Sequence, residues 1–227
     1  MRVVAIDGPS GVGKSTVGRL LASRLGLPHL DTGAMYRAVG LAARREGITL
    51  PISEPERVGE IGETVEVRIT GSAEDARTYL DGEDVSAAIR TPEISLYASA
   101  VSAIPRVRRR LAGLQRELAL AGGGVLEGRD IGTHVVPETP HKFFLTARPE
   151  VRARRRYLEL VAKGTPQPLE SVLAEQVSRD AADSTRADSP LVRSPEHVEV
   201  DTSEMTIDQV VVAIERAVLA RSETSPG

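Results

Sequence analysis

The segment from Arg2 to Leu25 constrains this chain most. It reads "RVVAID", then "GPSGVGKST", then "VGRLLASRL". The first run is short and apolar, as a strand buried on both faces requires. In the last, Val17, Leu20, Leu21 and Leu25 recur at helical spacing, and Gly26 stands where a C-terminal cap belongs. A strand that runs through a glycine loop into a helix is the opening half of a parallel β-α-β unit.

The loop itself has a specific chemistry. Gly8 and Gly13 bracket four residues, and Lys14 and Ser15 follow at once. Glycines let successive backbone N–H groups turn inward on phosphate oxygens, and the helix behind them offers its positive end to the same anion. On this pattern Gly8, Ser10, Gly11, Val12, Gly13 and Thr16 form a cradle. Lys14 reaches the β- and γ-phosphates, and the Ser15 hydroxyl is a ligand for Mg2+. Only Lys14, Lys142 and Lys163 among 29 basic residues are lysines, so chance supplies on the order of 0.003 such matches. The expected ligand is a nucleoside triphosphate with Mg2+.

Strand and helix patterns alternate along most of the remaining chain. A strand stub at "PHLD" leads to a helix expected from about Ala34 to Glu46, stopped by Gly47. "VEVRI" and "RTYL", followed by the turn pair Asp81-Gly82, suggest a small antiparallel patch at residues 63–86. Helical runs "ISLYASAVSA" and "RVRRRLAGLQRELALA" flank Pro105. "GGVLEG", "KFFLTA" and "HVEVD" read as strands. "PEVRARRRYLELVAKG" opens on Pro149, at a helix-starting position, and a polar helix then runs from Leu169 into a loop. Thr206-Ile207-Asp208-Gln209 fits a capping box ahead of a last helix, and "RSETSPG" is expected to fray. The fold class expected is α/β. It is a three-layer arrangement with a central parallel sheet flanked by helices, a small antiparallel insert and a helical lid.

Other classes are disfavoured. A net charge of −3 gives no general pull toward nucleic acid or anionic membrane. No apolar run approaches a membrane span, and "RVVAID" is too short for a secretory signal. With no cysteine, disulfides and thiolate metal sites are excluded. A cytoplasmic protein is expected. A switch GTPase would need an Asn-Lys-x-Asp segment, which surrounds neither Lys142 nor Lys163. A nucleic-acid motor would need further motifs and a basic face. A small-molecule kinase remains, and it requires a second set of cations for the acceptor and a part that closes over both.

Thr32, Tyr36 and Arg37 follow one strand, and Glu127, Arg129 and Asp130 follow another. Ligands of open α/β sheets bind at that carboxyl edge, where a guanidinium forks onto a phosphate. A solvated helix face is the other reading for Arg37. The same bland reading applies to Arg109, Arg110 and Arg155 in an arginine-rich chain. His29, His134, His141 and His197 do not cluster and read as structural or surface residues.

The segments "IDGPSGVGKST", "LDTGAMYRAV", "LDGEDVSAAIRTPEIS", "ASAVSAIPRVRRRLAGLQR", "LEGRDIGTHVVP" and "RDAADSTRADSPL" run in order over nearly the whole length. Together they resemble bacterial cytidylate kinases, within the nucleoside monophosphate kinases. The resemblance implies ATP-dependent phosphorylation of CMP, with dCMP also accepted. It implies that Thr32, Tyr36, Arg37 and Arg129 hold the acceptor's phosphate. Ser99, Arg108 and Asp130 would read cytosine, and Asp183 would contact the ribose. Arg179 and Arg186 would reach the transferring group from a lid at about 165–192, and Arg152 and Arg156 would lie by the donor. The core would be about 1–31, 88–164 and 195–221, with the acceptor region about 32–100, in one monomeric domain. This chain has Thr32 where such enzymes often have Ser, Glu127 where Asp is common, and Ala181 and Ala182 where charges are common.

Overall fold

The structure, a computed structural model, describes residues 3–71 and 75–223. The expected fraying of the last residues concerns a segment that, beyond Glu223, lies outside the described residues.

Strand β1 (Val3–Asp7) is buried along its whole length. Val4 and Ile6 face one layer of helices, and Val3 and Ala5 face the other. This is why "VVAID" shows no polar alternation. Four further strands join it: β2 (His29–Asp31), β6 (Gly124–Gly128), β7 (His141–Thr146) and β8 (Val198–Asp201). All pairings are parallel, in the order β2-β6-β1-β7-β8. Helices α1 (Lys14–Leu25) and α8 (Ile207–Glu223) cover one face through Val17, Leu21, Val211 and Ile214. Helix α5 (Pro105–Gly122) covers the other through Ala112 and Ala119.

After β1 the chain crosses toward β2, and after β6 it crosses the opposite way to β7. Two adjacent strands therefore send their loops in opposite directions. A crevice opens at their carboxyl ends, where such sheets bind ligands.

The antiparallel patch is present as β3 (Val67–Thr70), β4 (Arg77–Leu80) and β5 (Glu83–Asp84). It packs with α2 (Thr32–Arg45), α4 (Pro92–Ser102) and part of α5 around a second core. Helix α3 (Pro55–Thr64) completes that core with Val58 and Ile61. No element was expected there, because Gly59 and Gly62 dilute its apolar stripe. Both glycines lie where a Cβ would come within 3 Å of α5, at Arg106 Cδ (2.9 Å) and Val107 Cγ2 (2.8 Å). Helix α2 begins at Thr32, two residues earlier than expected, because the Asp31 carboxylate accepts from the Ala34 N–H at 3.1 Å.

Helices α6 (Pro149–Ala162) and α7 (Leu169–Thr185) pack together through Ala153, Leu160 and Val172. The capping box is closed. The Thr206 N–H donates to Gln209 Oε1 at 2.8 Å, and the Gln209 N–H donates to Thr206 Oγ1 at 3.3 Å. Arg109 and Arg110 are exposed as expected. Arg155 is not a solvated face: it donates to the Thr202 carbonyl at 2.6 Å and ties α6 to the turn after β8.

Candidate active site

The glycine loop leaves β1 with Gly8 at φ +146° and Leu145 O only 2.2 Å from where a Cβ would stand. No side chain fits between the loop and β7. Gly13, at φ +96°, forms the N-cap of α1 with no side-chain bond to the first-turn amides, which stay available to an anion. Lys14 folds over the loop and donates from Nζ to the Pro9 carbonyl at 2.6 Å.

A cavity of about 310 Å3 lies in front of this loop. Ser10, Gly11, Gly13, Lys14, Ser15 and Thr16 form one wall. Thr32, Tyr36 and Arg37 of α2 form another, and Glu127, Arg129 and Asp130 rise from the end of β6. Arg108 reaches in from α5, Arg156 from α6, and Arg179, Asp183 and Arg186 from the end of α7. Residues far apart in sequence thus converge on the crevice at β1 and β6.

Four predicted residues stand elsewhere. Gly8 and Val12 support the loop from behind, with the Val12 carbonyl accepting from Thr202 Oγ1 at 3.2 Å. Arg152 is buried beneath the loop, donating to the Ser10 carbonyl at 3.2 Å and to Asp180 at 2.5 Å. Ser99 is not in the wall. Ser95, Ala98 and Ser102 line it on α4, and the Ser99 carbonyl accepts from Ser102 Oγ at 2.8 Å. Helical periodicity from Ser95 could have indicated that face.

Ion pairs order the cavity. Arg108 donates to Asp130 Oδ2 at 2.5 Å, and Arg129 donates to Asp183 Oδ2 at 2.8 Å. Arg186 lies 3.5 Å from Asp183 and 3.7 Å from Asp130. Arg37 is held on Asp31 at 2.6 Å. Thr32 donates from Oγ1 to the Glu127 carbonyl at 2.7 Å, linking α2 to β6. The Arg108 guanidinium lies 5.6 Å from the Tyr36 ring centroid.

Seven cationic side chains line this cavity against five carboxylates, so positive charge is in excess. The cost appears in the titration behaviour. Burial, and then the neighbouring Arg129, hold Lys14 well below an ordinary lysine. The same two causes bring Arg179 down to about 10. Burial, and then Arg108, lower Arg186. Burial moves Tyr36 the other way, up to about 12, so its phenol stays protonated as a donor. Burial raises Asp130 against the pull of Arg108. Cations crowded together at such a cost suit an anionic ligand.

Three of the four histidines, His29, His141 and His197, are buried and so depart from a surface reading. His197 is buried, its Nδ1 accepting from the Ser194 N–H at 3.1 Å, so Nε2 donates to Asp7 at 3.2 Å. That role is structural, as expected. His29 is not remote from the site: its Nε2 lies 3.1 Å from Glu127 Oε1, and Glu127 Oε2 accepts from Ser15 Oγ at 2.9 Å. A second recess of about 370 Å3 opens beside the first and is lined by His29, Arg19, Arg90 and Lys163. None of these four residues was anticipated.

The sequence matches the cytidylate kinase family over residues 4–219. The chain belongs to the cytidylate kinase family. It is 49% identical over 221 residues to a cytidylate kinase of Syntrophotalea carbinolica, covering 97% of this chain and 93% of that one. It is 50% identical over 224 residues to a cytidylate kinase of Mycobacterium avium, covering 98% and 97%. An uncharacterized protein from Eubacterium ventriosum shares the fold, with a TM-score of 0.52 at 12% identity over 97% of this chain and 99% of that one. Family membership makes the chain a phosphotransferase, and the opposition of a glycine loop to a cluster of arginines suits that class. Among the described residues no helix is long and apolar enough to cross a membrane.

Proposed function

We propose that this enzyme transfers the γ-phosphoryl group of ATP to CMP, and to dCMP, giving CDP or dCDP and ADP. The observation that carries this reading is the single cavity in which Lys14 and the loop amides face Arg37, Arg129, Arg179 and Arg186. Two phosphates brought together repel, and a surplus of fixed positive charge removes that barrier. The loop and Lys14 hold the donor's β- and γ-phosphates. Arg37, Arg129, Thr32 and Tyr36 hold the acceptor phosphate, one of whose oxygens attacks the γ-phosphorus in line. The bond from that phosphorus to the β-bridging oxygen breaks, and ADP keeps the electron pair. No protein group need become covalently attached. Arg179 and Arg186 neutralise the charge spread over the moving phosphoryl, and Arg156 and Arg152 support the donor side.

Asp130 with Arg108 forms an acceptor and donor pair of the kind that cytosine's N4 amino group and its N3 and O2 match. Uracil inverts that pattern. Asp183 is already paired with Arg129 and Arg186, so loss of the sugar 2′-hydroxyl leaves no carboxylate unpartnered, which supports use of dCMP. Residues 165–192 would act as the lid, 32–100 as the acceptor region, and the remainder as the core of one domain. The exposed large apolar side chains, such as Leu96, Leu120, Leu158 and Leu219, fall on different helices, which favours a monomer. The composition suits the cytoplasm.

The residues present fit Mg2+. Ser15 Oγ and the Glu127 carboxylate are hard oxygen donors 2.9 Å apart. Among the described residues no group of three or more acidic or histidine side chains could hold a metal alone, which suits an ion whose remaining ligands are water and phosphate. Ser15 would hold it directly and Glu127 through water. Bound there, the ion supplies further neutralisation of phosphate charge.

A coupled assay of ADP release over a panel of nucleoside monophosphates tests the reading. CMP and dCMP should accelerate ADP production strongly and UMP weakly. Equal use of UMP would instead indicate a broader pyrimidine kinase. Slow hydrolysis indifferent to every monophosphate would reject the kinase reading in favour of a nucleotide switch.

Lys14 also predicts a pH dependence. Its folded-state pKa lies below the 10.5 of a free lysine, so it loses its proton earlier than the unfolded chain does. ATP affinity should be full below that lowered pKa and decline as pH rises through it. Over the same window the nucleotide-free protein should gain stability, because the unfolded state then binds more protons. Calorimetric titration of ATP from neutral pH upward, with Lys14→Met as a flat control, measures this.

A further inference from the structure

We infer that His29 is a positioning residue for the metal-facing acid, holding Glu127 so that one carboxylate oxygen stays turned toward Ser15. This rests on the reading that Ser15 and Glu127 attend Mg2+. The two oxygens of Glu127 have different partners: Oε1 lies 3.1 Å from His29 Nε2, and Oε2 accepts from Ser15 Oγ at 2.9 Å. A carboxylate only accepts, so His29 Nε2 carries the proton that it donates. The last torsion of a glutamate is broad and has little intrinsic preference. With one oxygen bonded to the ring, the other is fixed where Ser15 can meet it.

The fold is built to keep that ring in place. Strands β2 and β6 pair with Asp31 opposite Glu127, which puts His29 two residues back on the same face as Glu127. That diagonal is within reach of long side chains. From above, α1 presents Gly18, where a Cβ would stand 2.9 Å from His29 Nε2 and 3.2 Å from Cδ2. The helix thus leaves a slot for the imidazole edge, and the His29 side chain is buried, with 7% of its surface exposed. A glutamate reaches further than an aspartate and turns more freely, so it gains most from a second anchor.

The test measures metal binding, not turnover. Mn2+ binding in the presence of ADP is followed by electron paramagnetic resonance, with calorimetric CMP affinity as the control. Partners of this kind change metal affinity by about 10- to 100-fold. His29→Leu should therefore weaken Mn2+ binding about tenfold and leave CMP affinity unchanged. His29→Gln, whose amide nitrogen can stand where Nε2 was, should restore most of it, and His29→Asn, which is too short, should not. The double variant His29→Leu/Glu127→Gln should bind no more weakly than Glu127→Gln alone, because His29 acts only through that carboxylate. Wild-type Mn2+ affinity in His29→Leu, or losses that multiply in the double variant, overturn the inference. If His29→Leu fails to fold, equal binding by His29→Gln and His29→Asn overturns it. If Glu127→Gln itself binds Mn2+ normally, the metal reading of Ser15 and Glu127 falls too, which separates the two failures.

Discussion

Replacing Arg186 by alanine is expected to lower kcat at least about a hundredfold and to leave the melting temperature nearly unchanged. One arginine on a transferring phosphoryl group contributes on the order of 10³–10⁵ in rate. Its contribution to folding is small for reasons visible around it. Burial and the nearby Arg108 both disfavour its charge, so the folded state holds this guanidinium against an electrostatic gradient. Its Nη2 is buried without a hydrogen-bond partner, and its carboxylate neighbours are 3.5 and 3.7 Å away. When it is removed, Asp130 keeps its bond to Arg108 at 2.5 Å and Asp183 keeps Arg129 at 2.8 Å. The direct bond lost is from Nε to the Ser189 carbonyl. Single-turnover kinetics with saturating MgATP and CMP, beside a thermal melt, read both quantities. Near-normal turnover would remove Arg186 from the mechanism. A large drop in melting temperature would show that it serves the fold instead.

Replacing Asp130 by alanine is expected to act on selectivity before rate. Asp130 and Arg108 present an acceptor beside donors inside a water-poor wall, and both side chains are almost fully buried. A mismatched base would leave them unpaired, at about 1–3 kcal/mol for each buried group. The wild type should therefore prefer CMP over UMP by a hundredfold or more. Asp130→Ala should reduce the ratio of kcat/KM for CMP over UMP by about that factor, mainly through loss of CMP binding. Arg108 also loses its partner in that variant, so Asp130→Asn is the informative companion. It keeps an acceptor oxygen but not the charge, and should retain part of the preference. An unchanged ratio in both variants would reject the base-reading role.

These outcomes divide along the same line as the legibility of the chain. The glycine loop, its flanking strand and helix, the parallel sheet, the antiparallel patch and the capping box at Thr206 were all readable. The individual strands, helices and turns are set by residues close in sequence, whose periodicity or turn chemistry is local, and the alternation of strand and helix implies that the sheet is parallel. Helix α3 was not, because Gly59 and Gly62 are explained only by the approach of α5. The start of α2 depended on the Asp31 side chain turning back to cap it. Arg155 looked like a solvated face until the turn after β8 came beside it.

The sequence alone determined that a glycine loop with the spacing of a phosphate cradle stands between a buried strand and a helix, because glycine freedom and the lysine spacing are properties of one short segment. It also determined that arginines and carboxylates follow the strands that end beside that cradle. Only the tertiary structure decided how they pair: Arg129 with Asp183, Arg108 with Asp130, Glu127 between His29 and Ser15. It also turned Arg152 under the loop and Ser99 away from the wall. Pairing between distant residues depends on angstrom-scale placement across crossovers and helix faces, and nothing in a local run of residues encodes that distance.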